Sequence, residues 1–268
     1  MGRNVSLKCD ADKLNNNFLM RTFKLALLLF LIFIPCVAQL HINNRNSFLS
    51  AGYLQVNEDA NFGLVFKGPA LDFGMSWEIG NEHGIIIYEY ELGGGIIFSR
   101  DIPALGFYLK PFDLAYIFRM PLAETILFVG PSFKMEYNYN LYPELQSGFD
   151  YWFTNSAFGV YALCNLTLRN SSFRIKFNSS VAGFTSRQEN YRDPYFYDIG
   201  FKYAIRHLNQ DLTFASFNSF CTSTLELLWK PKADSRLALG YALKYSGYYQ
   251  SPEISMVTQS FKLIFSKK

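Results

Sequence analysis

The chain has 268 residues, of which 25 are basic and 22 acidic, so its formal net charge is only +3. That small excess excludes binding to nucleic acid through net charge alone. Its 27 Phe and 18 Tyr residues are more informative. Transmembrane β-barrels use aromatic side chains in this number, placing them where hydrocarbon meets the lipid headgroups.

The N-terminal part of the chain has the pattern of a secretory signal. Two basic residues precede an apolar run over Leu25–Ile34, and Cys36–Ala38 then supplies small residues. This pattern predicts a signal peptide over residues 20–38, cleaved before Gln39, because a basic start is followed by a short apolar core and then by small residues at the cleavage site. The apolar core has about ten residues, which is too short to cross a bilayer as a helix.

We interpret residues 1–38 as a leader that the mature chain lacks, with Met20 as an alternative start. The leader has five basic and two acidic residues, so the mature chain keeps 20 of each (25 − 5 and 22 − 2). Only two cysteines remain, too few for a disulfide framework. A lipid on Cys36 is disfavoured because Pro35 stands where a small residue is expected.

Further along the chain, apolar residues alternate with small or polar ones in one segment after another. The pattern is clearest in Phe133–Leu141, where the odd-numbered residues are apolar and the even-numbered ones are Lys, Glu or Asn. Leu71–Ile79, Phe158–Leu168 and Leu237–Tyr245 repeat it. Because successive side chains of a strand point to opposite faces, these segments predict β-strands with one apolar and one polar face.

The segments predict an all-β fold, a closed antiparallel transmembrane β-barrel of ten strands over residues 62–268. The first strand is expected near Phe62–Phe66, after an N-terminal periplasmic segment at residues 39–61. Twelve strands result if Phe48–Val56 and Tyr195–Ile205 also pair, and eight is the third choice. The aromatic face would overfill so narrow an interior, so it is expected to face lipid. Closure is required because an open sheet edge in hydrocarbon leaves backbone amides unpaired.

Short predicted connections alternate with long ones, as periplasmic turns alternate with extracellular loops in such barrels. The short ones are Gly80–Gly84, Met120–Glu124, Asn170–Ser171 and Pro231–Ser235, and the long ones are Ser99–Ala104, Tyr142–Asp150, Thr185–Asp211 and Ser246–Ser255. In the third long loop, Phe201, Ile205 and Leu208 have helical spacing and predict a short helix.

Twelve charged residues on the polar faces form the candidate functional site. They are Glu78, Glu89, Glu91, Asp113, Lys134, Glu136, Arg174, Lys176, Glu226, Arg236, Lys244 and Lys262. Six acids and six bases in a narrow lumen are expected to pair, because an unpaired buried charge is costly. If they pair, they plug a structural or interaction barrel; if they do not, they line a narrow channel for small solutes. No cluster has metal-ligand spacing, and nothing predicts a cofactor.

A lipid-modifying enzyme, either an acyl hydrolase or a transferase, is the third alternative. Barrel enzymes of this kind place a serine and a histidine on the lipid-facing wall. The mature chain has only His41, His83 and His207, predicted before the barrel, in a short turn and in the long outer loop. We therefore assign no catalytic residue.

The C-terminal segment resembles the assembly signal of outer-membrane barrels through Phe261, Leu263 and Phe265, although three more residues follow. From Phe62 to Phe265 the chain resembles the small uncharacterised outer-membrane barrels of Bacteroidota. The segments that carry this resemblance are Gly63–Pro69, Glu91–Gly95 and Phe184–Arg187. It implies location in the outer membrane, with membrane lipid and the barrel-insertion machinery as partners. It implies no activity and no particular protein partner.

Overall fold

The structure is a computed structural model that describes residues 42–59, 63–80, 83–122, 125–144, 150–168, 170–187, 212–232, 235–250 and 253–267. The predicted leader lies outside these residues. Within them, no helix is long and apolar enough to cross a membrane. The regular elements of this part of the chain are all strands.

The described residues form eleven β-strands. They are β1 (Ile42–Glu58), β2 (Leu64–Gly80), β3 (Gly84–Ser99), β4 (Ile102–Leu122), β5 (Thr125–Leu141), β6 (Asp150–Leu168), β7 (Ser171–Arg187), β8 (Thr213–Ser216), β9 (Phe220–Lys230), β10 (Leu237–Tyr248) and β11 (Ile254–Lys267). Neighbours pair antiparallel, and the β1–β11 and β6–β7 pairings close the sheet on itself. Because β8 and β9 both pair with β7, they share one position in the wall. The barrel therefore has ten positions, which confirms the predicted ten-stranded fold.

The first strand is not the predicted one. Residues 42–58, expected to lie in a periplasmic segment, form β1, which pairs with β11 from Arg45 to Glu58 and also with β2. The barrel thus begins at Ile42 rather than at residue 62. Small and polar residues weaken the alternation in β1, yet closure needs it, because otherwise β2 and β11 would expose unpaired edges.

The barrel still has ten strand positions, because β1 adds one that was not predicted while two segments predicted as separate strands form one. Residues 62–66 and 71–79 were expected in separate strands, but residues 64–80 form the single strand β2. Of the two segments that would raise the count to twelve, Phe48–Val56 lies within β1, and Tyr195–Ile205 lies outside the described residues. The eight-stranded alternative is wrong.

The connections divide between two ends of the barrel. The short-turn end has the β2–β3, β4–β5, β6–β7 and β9–β10 connections, all four as predicted, and both ends of the barrel chain. The opposite loop end has the remaining connections. The link predicted as a long loop at Ser99–Ala104 is instead a two-residue turn, in which Arg100 has a φ of 55°. The predicted helix lies outside the described residues.

Outward and inward faces alternate as predicted. On β2, Leu71 is 63% exposed on the outer face, whereas Asp72 and Glu78 are buried on the inner face. Trp77 and Tyr88 pack side by side on the outside near the short-turn end, with ring centroids 5.2 Å apart. The apolar, aromatic surface thus faces outward and the charges face the lumen.

A β-bulge in β4 changes which residues point inward. Glu91 pairs with Lys110 and Glu89 pairs with Asp113, so β4 has one extra residue between these two pairs. Lys110 and Asp113 are both buried in the lumen although three positions separate them. Pro111 lies in the bulge, where its lack of an N–H leaves no ladder hydrogen bond broken.

Apolar side chains occupy both ends of the lumen. At the loop end they form an apolar lid, which contains Leu54, Val56, Phe66, Ala70, Ile97, Ala104, Tyr142, Tyr151, Phe153, Ala215, Phe220, Tyr248, Ile254 and Met256. At the short-turn end, one cluster lies on β3–β6 (Ile87, Ala115, Ile117, Phe128, Tyr161 and Leu163) and a smaller one on β1, β10 and β11 (Phe48, Ala238 and Ile264). The charged residues are gathered between these two ends.

Candidate functional site

The middle of the lumen contains one continuous set of ion pairs, which we call the central ion network. Its members are Asp72, Glu89, Glu91, Lys110, Asp113, Lys176, Glu226, Lys244 and Lys262. They project from seven different strands, β2, β3, β4, β7, β9, β10 and β11. Seven of the nine were predicted from the alternation as lumen-facing, whereas Asp72 and Lys110 were not among the candidates.

Lys110 holds the β3 and β4 side of the network together. Its Nζ lies 2.9 Å from Glu89 Oε1, 3.4 Å from Glu91 Oε2 and 3.7 Å from Asp113 Oδ2. The Lys110 side chain is only 5% exposed, so water screens these contacts poorly. The bulge at Pro111 makes this arrangement possible, because it directs both Lys110 and Asp113 inward.

Two lysines extend the network across the lumen. Lys176 Nζ, on β7, lies 3.7 Å from both Glu89 Oε2 and Glu226 Oε2. Lys244, on β10, pairs with Glu91 and lies 3.2 Å from Asp72 Oδ2. Each lysine therefore reaches β3, which is not adjacent to either strand in the wall.

Gly93 gives Asp72 the space to make its contact. A Cβ atom at position 93 would lie 2.0 Å from Asp72 Oδ1, so any side chain there would displace the Asp72 carboxylate from its present position. The glycine thus lets the Asp72 carboxylate lie against β3 while it accepts hydrogen bonds from Ser50 and Lys244. The Gly93–Gly95 run serves packing inside a strand here.

Polar side chains surround the network and donate hydrogen bonds to Asp113, one of its members, and to Glu136, which lies beside it. Asn178 donates to both oxygens of Asp113, at 3.0 and 2.8 Å. Asn155 donates to Glu136 Oε2 at 2.9 Å. Lys134 Nζ lies 3.9 Å from Glu136 and donates to the Thr222 carbonyl at 3.2 Å. Lys134 and Glu136 thus face the lumen as predicted.

Of the three other predicted residues, Arg174 and Glu78 lie toward the short-turn end of the lumen. The third, Arg236, does not reach the lumen. Arg174 donates to Glu78 and to Asn165, the latter at 2.8 Å. Arg236, by contrast, is exposed in the β9–β10 connection, one residue before β10 begins. The prediction for Arg236 is wrong because the alternation was extended beyond the end of the strand.

The apolar lid closes the loop end above the network. Phe66 and Tyr142 pack with ring centroids 4.8 Å apart, and Phe153 meets Phe220 edge to face at 6.4 Å. Tyr142 also donates a hydrogen bond to the buried carboxylate of Glu58. A lumen that looks polar from the alternation thus has an apolar layer that only the folded chain reveals.

Two cavities flank the network. The upper one, of about 40 Å³, is bordered by Asp72, Asn138 and Lys244 and has room for a few water molecules. The lower one, of about 200 Å³, lies on the short-turn side and is bordered by Arg174 and Lys176. Four residues belong to both the lower cavity and the network: Glu89, Lys176, Glu226 and Lys262.

The structure places the remaining candidates as follows, as far as its described residues extend. Phe261 and Phe265 face outward on β11, 74% and 52% exposed, where an assembly signal would have to be read. His83 lies in the β2–β3 turn, while His41 and His207 lie outside the described residues. The described residues contain no group of His, Cys, Asp and Glu that could hold a metal ion.

The barrel is similar to the outer-membrane protease OmpT from Escherichia coli, with a TM-score of 0.51 and 8% identity over 85% of this chain and 98% of that one. Weaker likenesses are to the translocator domain of the autotransporter NalP from Neisseria meningitidis (TM-score 0.40, 7% identity, 95% and 97% covered) and to Ail from Yersinia pestis (0.32, 10%, 83% and 99%). No family model matches the chain, and no curated protein matches it significantly. At this identity, the likeness to OmpT shows the fold alone, that of an outer-membrane β-barrel.

Proposed function

We propose that this protein is an outer-membrane barrel with a closed lumen, exported by the signal peptide at residues 20–38, and that its role is structural or one of surface interaction. The observation that carries the proposal is the central ion network. Lys176 and Lys244 join β3 to opposite parts of the wall, so the charges bridge the lumen instead of lining it. This supports a plug over the alternative of a solute channel.

Energetics favour the closed state. Removing one partner of a buried ion pair typically costs about 3–5 kcal/mol, because the other charge stays buried and uncompensated. Passage of an ion through this lumen would require several such pairs to separate at once. It would also require displacement of the apolar lid, whose rings pack against one another at the loop end.

The loop end offers a surface for contact with a partner. Phe214 on the short strand β8 and Phe217 just after it are 68% and 54% exposed, and Tyr249 beyond β10 is 41% exposed. Exposed aromatic side chains commonly anchor protein interfaces. In this proposal the short turns face the periplasm, so these residues face the exterior of the cell.

Outer-membrane lipid surrounds the apolar face, and the barrel-insertion machinery reads Phe261, Leu263 and Phe265 at the end of β11. The resemblance to Bacteroidota barrels suggests the type of cell in which this takes place.

Planar-bilayer recordings test the closed lumen. Refolded mature protein is expected to produce no conductance steps in 1 M KCl, even when its insertion has been verified. Insertion is checked on the same sample by heat-modifiable gel mobility and by resistance to protease in liposomes. A known porin reconstituted in parallel confirms that channels would be detected. Reproducible unitary steps from inserted protein would contradict the proposal and favour the channel.

A further inference from the structure

The lower cavity has walls of two different kinds. One side is apolar and consists of Phe48, Ala238 and Ile264, with Leu228 packed against them. The other side presents Arg174 and Lys176, which are two residues apart on β7 and so point the same way. The other residues that border the cavity are polar or charged, so one apolar patch lies among many hydrogen-bonding groups.

The charge balance of this cavity favours an anion. Four basic residues border it, Arg174, Lys176, Lys230 and Lys262, against two acidic ones, Glu89 and Glu226. The central network shares Glu89, Lys176, Glu226 and Lys262 with this cavity, and Arg174 pairs with Glu78, which does not border it. With Glu78 counted, four bases stand against three acids, so one positive charge is in excess around the cavity.

Lys176 has hydrogen-bonding capacity that the described residues do not use. Its residue is only 7% exposed, yet its two carboxylate neighbours both lie at 3.7 Å, beyond hydrogen-bonding distance. An ammonium group has three donors, and Lys176 borders the cavity. An acceptor in the cavity would complete its coordination.

Arg174 also has hydrogen-bonding capacity beside the cavity that the described residues do not use. Its Nε donates to Asn165 and its Nη1 donates to Glu78, so the guanidinium is held from one side. The described residues offer no partner to its Nη2. A guanidinium held in this way suits a carboxylate, which accepts parallel hydrogen bonds from it.

We propose that the lower cavity binds a small organic carboxylate with a compact apolar body. The carboxylate contacts Arg174 and Lys176, and the apolar body packs against Phe48, Ala238 and Ile264. The cavity, of about 200 Å³, has space for a ligand of the size of benzoate. The side of the membrane from which the ligand enters rests on the proposed function, whereas binding in detergent micelles does not.

Calorimetric titration of the refolded full barrel with sodium benzoate tests this proposal. We expect saturable binding at one site, with both sodium acetate and benzyl alcohol at least about tenfold weaker, because each lacks one half of the recognised chemistry. Protein-free micelles supply the blank. Absence of saturable benzoate binding would overturn the proposal. Equal binding of acetate would remove the role of the apolar wall, and equal binding of benzyl alcohol that of the cations.

Three variants locate the site. Lys176→Met is expected to weaken benzoate binding at least about tenfold, and Ala238→Phe to abolish it by filling the apolar side without a change of charge. Lys232→Met is the matched control, since Lys232 is an exposed cation at the same end that does not border the cavity. Heat-modifiable mobility shows whether each variant folds. Equal loss of binding in Lys232→Met, or full binding in Ala238→Phe, would place the ligand elsewhere.

Discussion

The ammonium group of Lys110 donates a 2.9 Å hydrogen bond to Glu89, its neighbour on β3. It thereby holds together the part of the central ion network that the adjacent strands β3 and β4 supply. Lys110 also contacts Glu91 and Asp113, so three acids share this cation. Its replacement by Met leaves these buried carboxylates without their shared partner.

We therefore expect Lys110→Met to lower the free energy of unfolding by about 3–5 kcal/mol. The measurement is equilibrium unfolding of the refolded barrel in urea, followed by tryptophan fluorescence. Arg236→Met is the matched control, because Arg236 is an exposed cation outside the lumen, and its effect is expected to stay within about 0.5 kcal/mol. Equal stability of the two variants would show that the network does not stabilise the fold.

The bulge at Pro111 leads to a prediction about a deletion. Without Pro111, Lys110 and Asp113 would still face inward with Phe112 between them facing outward, and the β3–β4 ladder would pair without an extra residue. The β4–β5 ladder would become continuous in the same way. We expect the Pro111 deletion to fold into a heat-modifiable barrel, which a shift in gel mobility on boiling would show.

Deletion of Phe133 is the control, because β5 has no bulge at this position. Loss of one residue there turns one half of the strand over, so that lumen residues such as Lys134 exchange faces with apolar ones. This variant is expected not to form the fast-migrating band. If both deletions behave alike, the bulge is not the feature that absorbs the extra residue.

The cost in stability of a charge on the outer face depends on whether that position lies in the membrane. Phe158, at the middle of β6, is 60% exposed, and we expect Phe158→Arg to destabilise the barrel in lipid vesicles by about 2–4 kcal/mol. Phe214, which is 68% exposed on β8 at the loop end, is the matched site. There the same substitution is expected to cost about 0–1 kcal/mol. Equal costs in urea unfolding would argue against a lipid belt around the middle of the barrel.

Single cysteines test the proposed orientation. Asn218 lies in the exposed β8–β9 turn at the loop end, and Lys232 lies in the β9–β10 turn at the short-turn end. In a background without Cys164 and Cys221, Asn218→Cys is expected to react with a membrane-impermeant maleimide on intact cells. Lys232→Cys is expected to react only after the outer membrane is permeabilised. The reverse pattern of labelling would show that the barrel has the opposite orientation in the membrane.

The alternation of side chains determines which face of a strand is polar, because this depends only on the local pleat. It correctly predicted Glu78 and Lys134 inside and Phe158 outside, together with the count of ten and the four short turns. Local pattern is less reliable at the ends of strands, and Arg236 was placed in the lumen although it lies one residue outside β10.

Other features depend on contacts between distant parts of the chain, which only the tertiary structure provides. β1 has weak alternation and is defined by its pairing with β11, more than 200 residues later. Lys110 faces the lumen because the bulge at Pro111 changes the phase of β4. The apolar lid and the asymmetric lower cavity arise because side chains from opposite walls meet in the lumen. The sequence by itself thus determined that charges point inward, whereas the cross-lumen packing of the barrel decided that they form a plug.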